Sequence, residues 1–324
     1  MNTLGVTLRQ HLSLQLLAQP NAETLEALMH AVAGACKNIS ELSARGASTE
    51  VTDKLTNKNV QGETQTQLDI LSNDLFIDML RATQLVAGLV SEEVDEVLDL
   101  HSSGAHAPFL GSIFSILNTP PNGTISNADY LQKGHAQVAA GYALYGPSSM
   151  LVLTVGLGTH GYTLDRDSGE YLLTHPDIRM PESTSEFSIN ASNERFWEPP
   201  VQRYIVECKA GSAGERARDF NMRWAASMVA DVHRILMRGG VYLYPQDNKT
   251  PLKAGRLRLL YEANPMAFIV EQAGGASSTG RQPLLDIAPN QIHQRIPVIL
   301  GSKIEVNLVE QYHKEFDAGY QTSV

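Results

Sequence analysis

The sequence predicts an α/β protein in which layered sheets are covered by helices. Three observations carry that prediction: two amphipathic helices early in the chain, short apolar strands punctuated by turn residues in its middle, and an alternation of helix and strand from there onward.

Asn21 suits a helix N-cap, and Leu25, Leu28, Met29, Val32, Cys36, Ile39 and Leu42 recur at helical spacing behind it. A polar stretch, 44–62, reads as a loop. The second helix presents Leu68, Leu71, Leu75, Phe76, Met79 and Leu80, and Thr66 with Asp69 has the spacing of a capping box. Residues 85–90 read as a strand, followed by the acidic run Glu92, Glu93, Asp95, Glu96 and Asp99. Signals are weaker to Gly146: 111–117 reads as a strand, 120–123 as a turn and 127–134 as a surface connection. Strands are expected at 150–155, 162–164 and 170–173, the last two joined by a turn at 165–169. Residues 223–238 read as a helix with Trp224, Met228, Val232, Ile235 and Leu236 on its apolar face and Gly239 and Gly240 ending it. Strands follow at 241–244 and 257–261. Asn264 and Pro265 open a helix that Gly274 and Gly275 close, 298–300 is a last core strand, and Ser302 with Glu305 opens a terminal helix.

A chain of 324 residues, 43% hydrophobic and 19% charged, can bury a substantial core as one large or two closely packed domains. Its net charge of −10 argues against nucleic acid or an anionic membrane as partner, because both demand a concentrated positive field. Cys36 and Cys208 lack metal-ligand spacing and read as buried or free thiols. Residues 1–19 do not have the pattern of a secretory signal, and no apolar run is long enough to span a bilayer, so a cytoplasmic location is expected.

Glu92 and Glu93 follow an apolar run, and carboxylates at the end of a buried strand suit a hard cation such as Mg2+. The alternative is a solvated acidic edge. Glu262 has the same setting ahead of a helix, where a carboxylate either faces a metal or assists the cap. Glu63 and Asp69 admit the same two readings. Arg223, Arg256 and Arg258 are either surface charges or phosphate ligands, the last two sharing one face of a strand. His233 reads as a structural hydrogen bonder.

Six runs together carry a resemblance: LDILSND at 68–74, LVSEE at 89–93, VAAGYALYG at 138–146, SMVADVHR at 227–234, LRLLYEANPM at 257–266 and IHQRIPVILGS at 292–302. In this order they resemble the class I fructose-1,6-bisphosphatases. The resemblance implies an α/β/α/β/α sandwich of the sugar phosphatase type, with residues 1–185 forming a metal-site and allosteric domain and 186–324 a sugar-phosphate-binding domain. It implies a cytoplasmic homotetramer that removes the 1-phosphate of fructose 1,6-bisphosphate through a metal-activated water, with Mg2+, Mn2+ or Zn2+ as cofactor.

The resemblance assigns metal contact to Glu63, Asp69, Glu92, Glu93 and Glu262, of which Glu92, Glu93 and Asp69 are also the expected catalytic groups. It assigns substrate contact to Asn190, Arg223, Trp224, Met228, Tyr242, Leu243, Tyr244 and Arg256, with Arg223 reaching a neighbouring subunit's site. Trp224 stands where the family commonly has tyrosine, Arg256 where it has lysine and Asn193 where it has tyrosine. One departure is large. The family's Asp-Pro-Leu-Asp-Gly-Ser-Ser segment has no counterpart here, the chain passing from Phe109-Leu110 directly to Gly111-Ser112. Its absence implies the loss of two aspartates, of the 1-phosphate-binding turn and of a strand from the main sheet. A catalytically inactive sugar-phosphate binder is the competing expectation.

Overall fold

The computed structural model describes residues 5–45, 54–58, 64–100, 106–110, 113–119, 125–249, 251 and 254–319, with the backbone alone for 54–58, 64–66 and 106–110. Two compact units result. One comprises Met1–Gln132, Ala136–Asp177 and Asn290–Ile292, the other Lys133–His135, Ile178–Pro289 and His293–Val324.

The first unit opens with α1 (Leu8–Gln15), which the sequence reading did not anticipate. Thr7 and Gln10 cap it reciprocally: the Gln10 N–H donates to Thr7 Oγ1 at 3.3 Å and the Thr7 N–H to Gln10 Oε1 at 3.0 Å. The two expected helices follow as α2 (Ala22–Arg45) and α3 (Gln67–Thr83). The stretch between them is not a plain loop, since β1 (Lys54–Lys58) and β2 (Thr64–Thr66) pair antiparallel there.

Strands β3 (Gly88–Ser91), β4 (Leu98–Asp99), β5 (His106–Leu110) and β6 (Ile113–Asn118) lead through the short helix α4 (Asn127–Tyr130) to β7 (Gln137–Leu144), β8 (Met150–Thr154), β9 (Thr159–Leu164) and β10 (Tyr171–His175). These eight strands form one sheet in the order β10-β9-β8-β7-β6-β5-β3-β4, with only β3 and β5 running parallel. Leu28, Met29 and Val32 of α2 and Phe76 and Leu80 of α3 share a buried cluster with Phe114 and Ile116 of β6 and Leu151 and Leu153 of β8. Each such side chain contributes roughly 2 kcal/mol through the area it removes from water. Within the sheet, β6 and β7 meet closely enough to favour a glycine, because a Cβ at Gly141 of β7 would lie 2.4 Å from Phe114 Cζ on the paired strand.

The expected missing strand does not appear as a gap. β5 pairs with β3 on one side and β6 on the other, Phe109 opposing both Val90 and Ser115, so the sheet is continuous from β3 through β5 to β6.

The second unit contains β11 (Glu186–Ser188), α5 (Pro199–Ala210), β12 (Asn221–Met222), α6 (Met228–Arg238), β13 (Val241–Tyr244), β14 (Leu257–Arg258), α7 (Asn264–Gln272), β15 (Ala276–Ser278), β16 (Arg295–Ile296), β17 (Val298–Gly301) and α8 (Lys303–Asp317). A five-stranded sheet runs β12-β11-β13-β17-β15, and β14 pairs with β16. Phe187, Val241, Leu243 and Ile299 of the sheet pack on Val201 and Ile205 of α5 and Val306 and Val309 of α8.

Four expectations are corrected in this unit. The helix expected from Arg223 begins only at Met228, because Ala226 takes φ +59 and Ser227 caps the helix, accepting the Ala230 N–H at 3.4 Å. The strand expected over 257–261 ends at Arg258, and a five-residue π-helical turn, Leu259–Ala263, follows. That turn runs straight into α7, so Asn264 is already helical and caps nothing. Glu305 is not the far half of a capping box; it is buried, accepting from Tyr204 Oη at 2.7 Å and, on both carboxylate oxygens, from Arg216 Nη2 at 2.7 Å.

Candidate active site

The strand-end carboxylates lie in the first unit. β3 is buried along its length and closes at Ser91, which places Glu92 and Glu93 where the backbone leaves the core; both are half-buried. Ser91 Oγ donates to Asn73 Oδ1 at 2.6 Å and accepts the Glu93 N–H at 3.2 Å, fastening the end of β3 to α3. Asp69 stands one turn ahead of Asn73 on the same face of α3 and is exposed, so the carboxylate-bearing ends of β3 and α3 belong to one corner of the unit. Glu63 lies outside the described residues.

These groups supply the oxygen donors that a hard divalent cation takes. They do not supply a complete site: among the described residues, no three His, Cys, Asp or Glu side chains gather to hold a metal ion.

Glu262 is carried by the π turn and not by a strand end. Its Oε2 accepts the Arg258 N–H at 2.6 Å and lies 3.6 Å from the Arg258 guanidinium, which is itself buried. Arg256 has a different partner, reaching Asp247 Oδ2 at 3.2 Å, so the two arginines expected on one face are committed to separate carboxylates.

The second unit holds a shallow, open cleft lined by Asn190, Trp224, Leu243 and Tyr244, all expected from the family resemblance to contact substrate. Asn193, Trp197 and Asp247 line it too. Trp224 lies over Tyr242, ring centroids 6.0 Å apart and planes 16° apart, and meets Tyr244 edge-on at 5.8 Å. β13 delivers these tyrosines on alternate residues of one strand face, which is why both meet the same indole. Burial raises both phenols above their usual range, so they stay protonated donors at neutral pH; at Tyr244 the nearby Arg256 opposes the shift.

Asn190 caps the 3₁₀ turn over 191–196, its Oδ1 accepting the Ser192 N–H at 3.2 Å and the Ser192 hydroxyl at 2.6 Å. Its carbonyl is thereby engaged, and the amide N–H groups are what it offers a ligand. Positive charge reaches the same rim. Asp247, whose Oδ2 faces Arg256, accepts the Lys249 N–H on Oδ1 at 3.0 Å, and Lys249 Nζ lies 3.5 Å from Asn193 Oδ1. Met228 is buried at the start of α6, and Arg223 is exposed, its N–H donating to the Phe187 carbonyl at 2.8 Å.

A half-buried amide, a stacked aromatic wall and a cationic rim suit a polar, ring-shaped, anionic ligand. The fructose-1-6-bisphosphatase C-terminal domain model matches residues 180–314, and the N-terminal domain model matches 7–109 and 107–176. The chain belongs to the fructose-1,6-bisphosphatase family. Its α/β sandwich is likewise that of a solved fructose-1,6-bisphosphatase from Leishmania major, described in holo form, with a TM-score of 0.88 at 34% identity over 96% of this chain and 99% of that one.

Among curated relatives, a class 1 fructose-1,6-bisphosphatase from Hydrogenophilus thermoluteolus is 50% identical over 333 residues, covering 96% of this chain and 93% of its own. One from Methylacidiphilum infernorum is 49% identical over 318 residues, covering 92% and 88%. The N-terminal family model matches in two runs that meet at 107–109, the point where the sequence reading finds a family segment missing.

Sequence reasoning about a fructose-1,6-bisphosphatase cleft missed Trp197 and Asp247. Neither has a periodic or motif signal. Trp197 closes the 3₁₀ turn ahead of α5, and Asp247 sits just beyond β13 in an isolated bridge with it, a long-range pairing that no local pattern announces.

Proposed function

We propose that this chain hydrolyses the 1-phosphate of fructose 1,6-bisphosphate to fructose 6-phosphate and phosphate, a gluconeogenic step, acting in the cytoplasm as a homotetramer. The observation that carries the reading is the cleft of the second unit. There Asn190, Trp224, Leu243 and Tyr244 converge in a chain whose family models cover both halves. No described helix is long and apolar enough to cross a membrane.

Roles follow from the side chains. Asn190 and Tyr244 donate hydrogen bonds to sugar and phosphate oxygens, and Arg256 supplies charge for the 6-phosphate. Trp224 stacks where a hydroxyl donor is common in the family, while Tyr242 supports it from beneath and Leu243 and Met228 complete the wall. Arg223, projecting from a loop, extends toward a neighbouring subunit's phosphate. Holding the remote phosphate orients the reacting end, which is the usual return on such contacts.

Glu92, Glu93, Asp69, Glu63 and Glu262 are the proposed cation contacts, for Mg2+ in the first place and Mn2+ or Zn2+ in its stead. The described carboxylates match such an ion in kind but do not close around one.

The test is phosphate release from fructose 1,6-bisphosphate in the presence of Mg2+, in the native chain and in Glu92→Gln. Release that the substitution removes supports the reading.

A second reading has an observation of its own: the chain as a non-catalytic sugar-phosphate binder. The alignment with the Hydrogenophilus thermoluteolus relative spans 333 residues against a chain of 324, so the relative has at least nine residues without a counterpart here. We propose that these include the Asp-rich 1-phosphate turn. Fructose 6-phosphate binding without phosphate release would favour this reading.

A further inference from the structure

Residues 223–227 carry Arg223 and Trp224 on a loop that its own sequence does not stabilise. Ala226 takes φ +59, a left-handed conformation that a side chain with a Cβ adopts only where the surroundings impose it.

Asp231, one turn into α6, does the imposing. It is 1% exposed, and its Oδ2 accepts the Ala225 N–H at 3.0 Å. Its Oδ1 accepts from Arg234 Nη2 at 3.1 Å, and the same Nη2 reaches the Arg223 carbonyl at 3.4 Å. Arg234 is anchored in turn, its Nη1 donating to Glu186 Oε2 at 2.7 Å on β11. The Arg223 carbonyl belongs to the peptide before Trp224 and the Ala225 N–H to the peptide after it. One ion pair on α6 thus holds both peptides that flank the indole.

We propose that Asp231 and Arg234 are positioning residues of the cleft. By fixing the two peptides around Trp224, they set its ring against Tyr242 and Tyr244 and so determine how tightly a phosphosugar is held. The proposal rests on reading the cleft as the sugar-phosphate site. Asp231 is shielded from water and Arg234 half-buried, a setting in which charge-assisted bonds are strong and their directions rigid. The guanidinium fork reaches Asp231 and the Arg223 carbonyl through Nη2 and Glu186 through Nη1, a spread that a single lysine ammonium does not match.

A role confined to stability would leave the cleft unchanged in any variant that still folds. Chain labelled with 5-fluorotryptophan separates the two roles, because it carries only two tryptophans, Trp197 and Trp224. Their 19F resonances are assigned with Trp197→Phe, and affinity is read by titrating fructose 6-phosphate. Asp231→Asn and Arg234→Gln are expected to shift or broaden the Trp224 resonance while leaving that of Trp197 in place. Both should weaken fructose 6-phosphate about tenfold and raise KM more than they lower kcat. Arg234→Lys, which keeps the charge but not the fork, should fall between, and it carries the test if Asp231→Asn does not fold. Variants that melt earlier yet keep the Trp224 resonance and the native affinity would overturn the proposal alone. Native protein that does not bind fructose 6-phosphate would remove the reading of the cleft, and the proposal with it.

Discussion

Arg256 and Asp247 set the charge at the mouth of the cleft. The guanidinium lies 3.2 Å from a carboxylate that itself lines the cavity, so a ligand phosphate must compete with Asp247 for it. Arg256→Ala should raise KM for fructose 1,6-bisphosphate about tenfold with a smaller effect on kcat, measured by steady-state phosphate release. An unchanged KM would remove Arg256 from the substrate contacts.

His11 offers a residue-scale prediction on stability. Its ring is buried against β9, with Nδ1 2.6 Å from Tyr162 Oη and the ring of His160 4.7 Å away edge-on. Burial first, and His160 second, lower its pKa from 6.5 to about 4. A histidine kept neutral by the fold binds its proton more readily once unfolded, so its contribution is complete above pH 6.5 and is lost as pH falls toward 4. The unfolding midpoint should drop through that window. His11→Gln should flatten the drop, and an unaltered pH profile would show that the ring does not carry it.

At the scale of elements, β13 and β17 meet so closely that Gly301 is required. It takes φ +144, and a Cβ there would lie 2.2 Å from the Gly240 carbonyl oxygen and 2.9 Å from Val241 Cα, both backbone atoms that cannot yield. Gly301→Ala should cost about 3 kcal/mol or more, read by denaturant unfolding. A loss below about 1 kcal/mol would mean that the strands can separate there without harm.

Elements were legible in the sequence wherever one face alone is buried. α2 and α3 announce themselves because apolar side chains recur at helical spacing against a sheet. β7 did not, since it is buried over nearly its whole length and rich in Ala and Gly, so no alternation marks it. α1 was missed because it is short and its apolar face is narrow.

The π turn after β14 was read as more strand because Leu259, Leu260 and Tyr261 are all buried, as a central strand's residues would be. The true start of α6 was hidden for a related reason. Trp224 fits the apolar face of an extended helix, while the bonds from Asp231 that hold it outside the helix are visible only in three dimensions. The cleft was thus legible residue by residue through the family resemblance, whereas its supports were not.

On the scale of the whole molecule, the junction between β5 and β6, where the sequence reading finds a family segment missing, poses the central question. The sheet closes across it with both neighbours paired, so the break does not prevent a continuous fold. Chemistry is another matter, because the described carboxylates alone do not gather around an ion. Inserting Asp-Pro-Leu-Asp-Gly-Ser-Ser between Leu110 and Gly111 should raise phosphate release by at least about a hundredfold if those groups complete the charge stabilisation of the reacting phosphate. A smaller gain would mean that the native chain already holds what it needs.

The most direct measurement is inorganic phosphate released from fructose 1,6-bisphosphate by the purified native chain, with and without Mg2+, beside Glu92→Gln. The account predicts fructose 6-phosphate and phosphate in equal amounts, dependent on Mg2+ and lost with Glu92. Native chain that binds fructose 6-phosphate yet releases no phosphate under any of these conditions would contradict it.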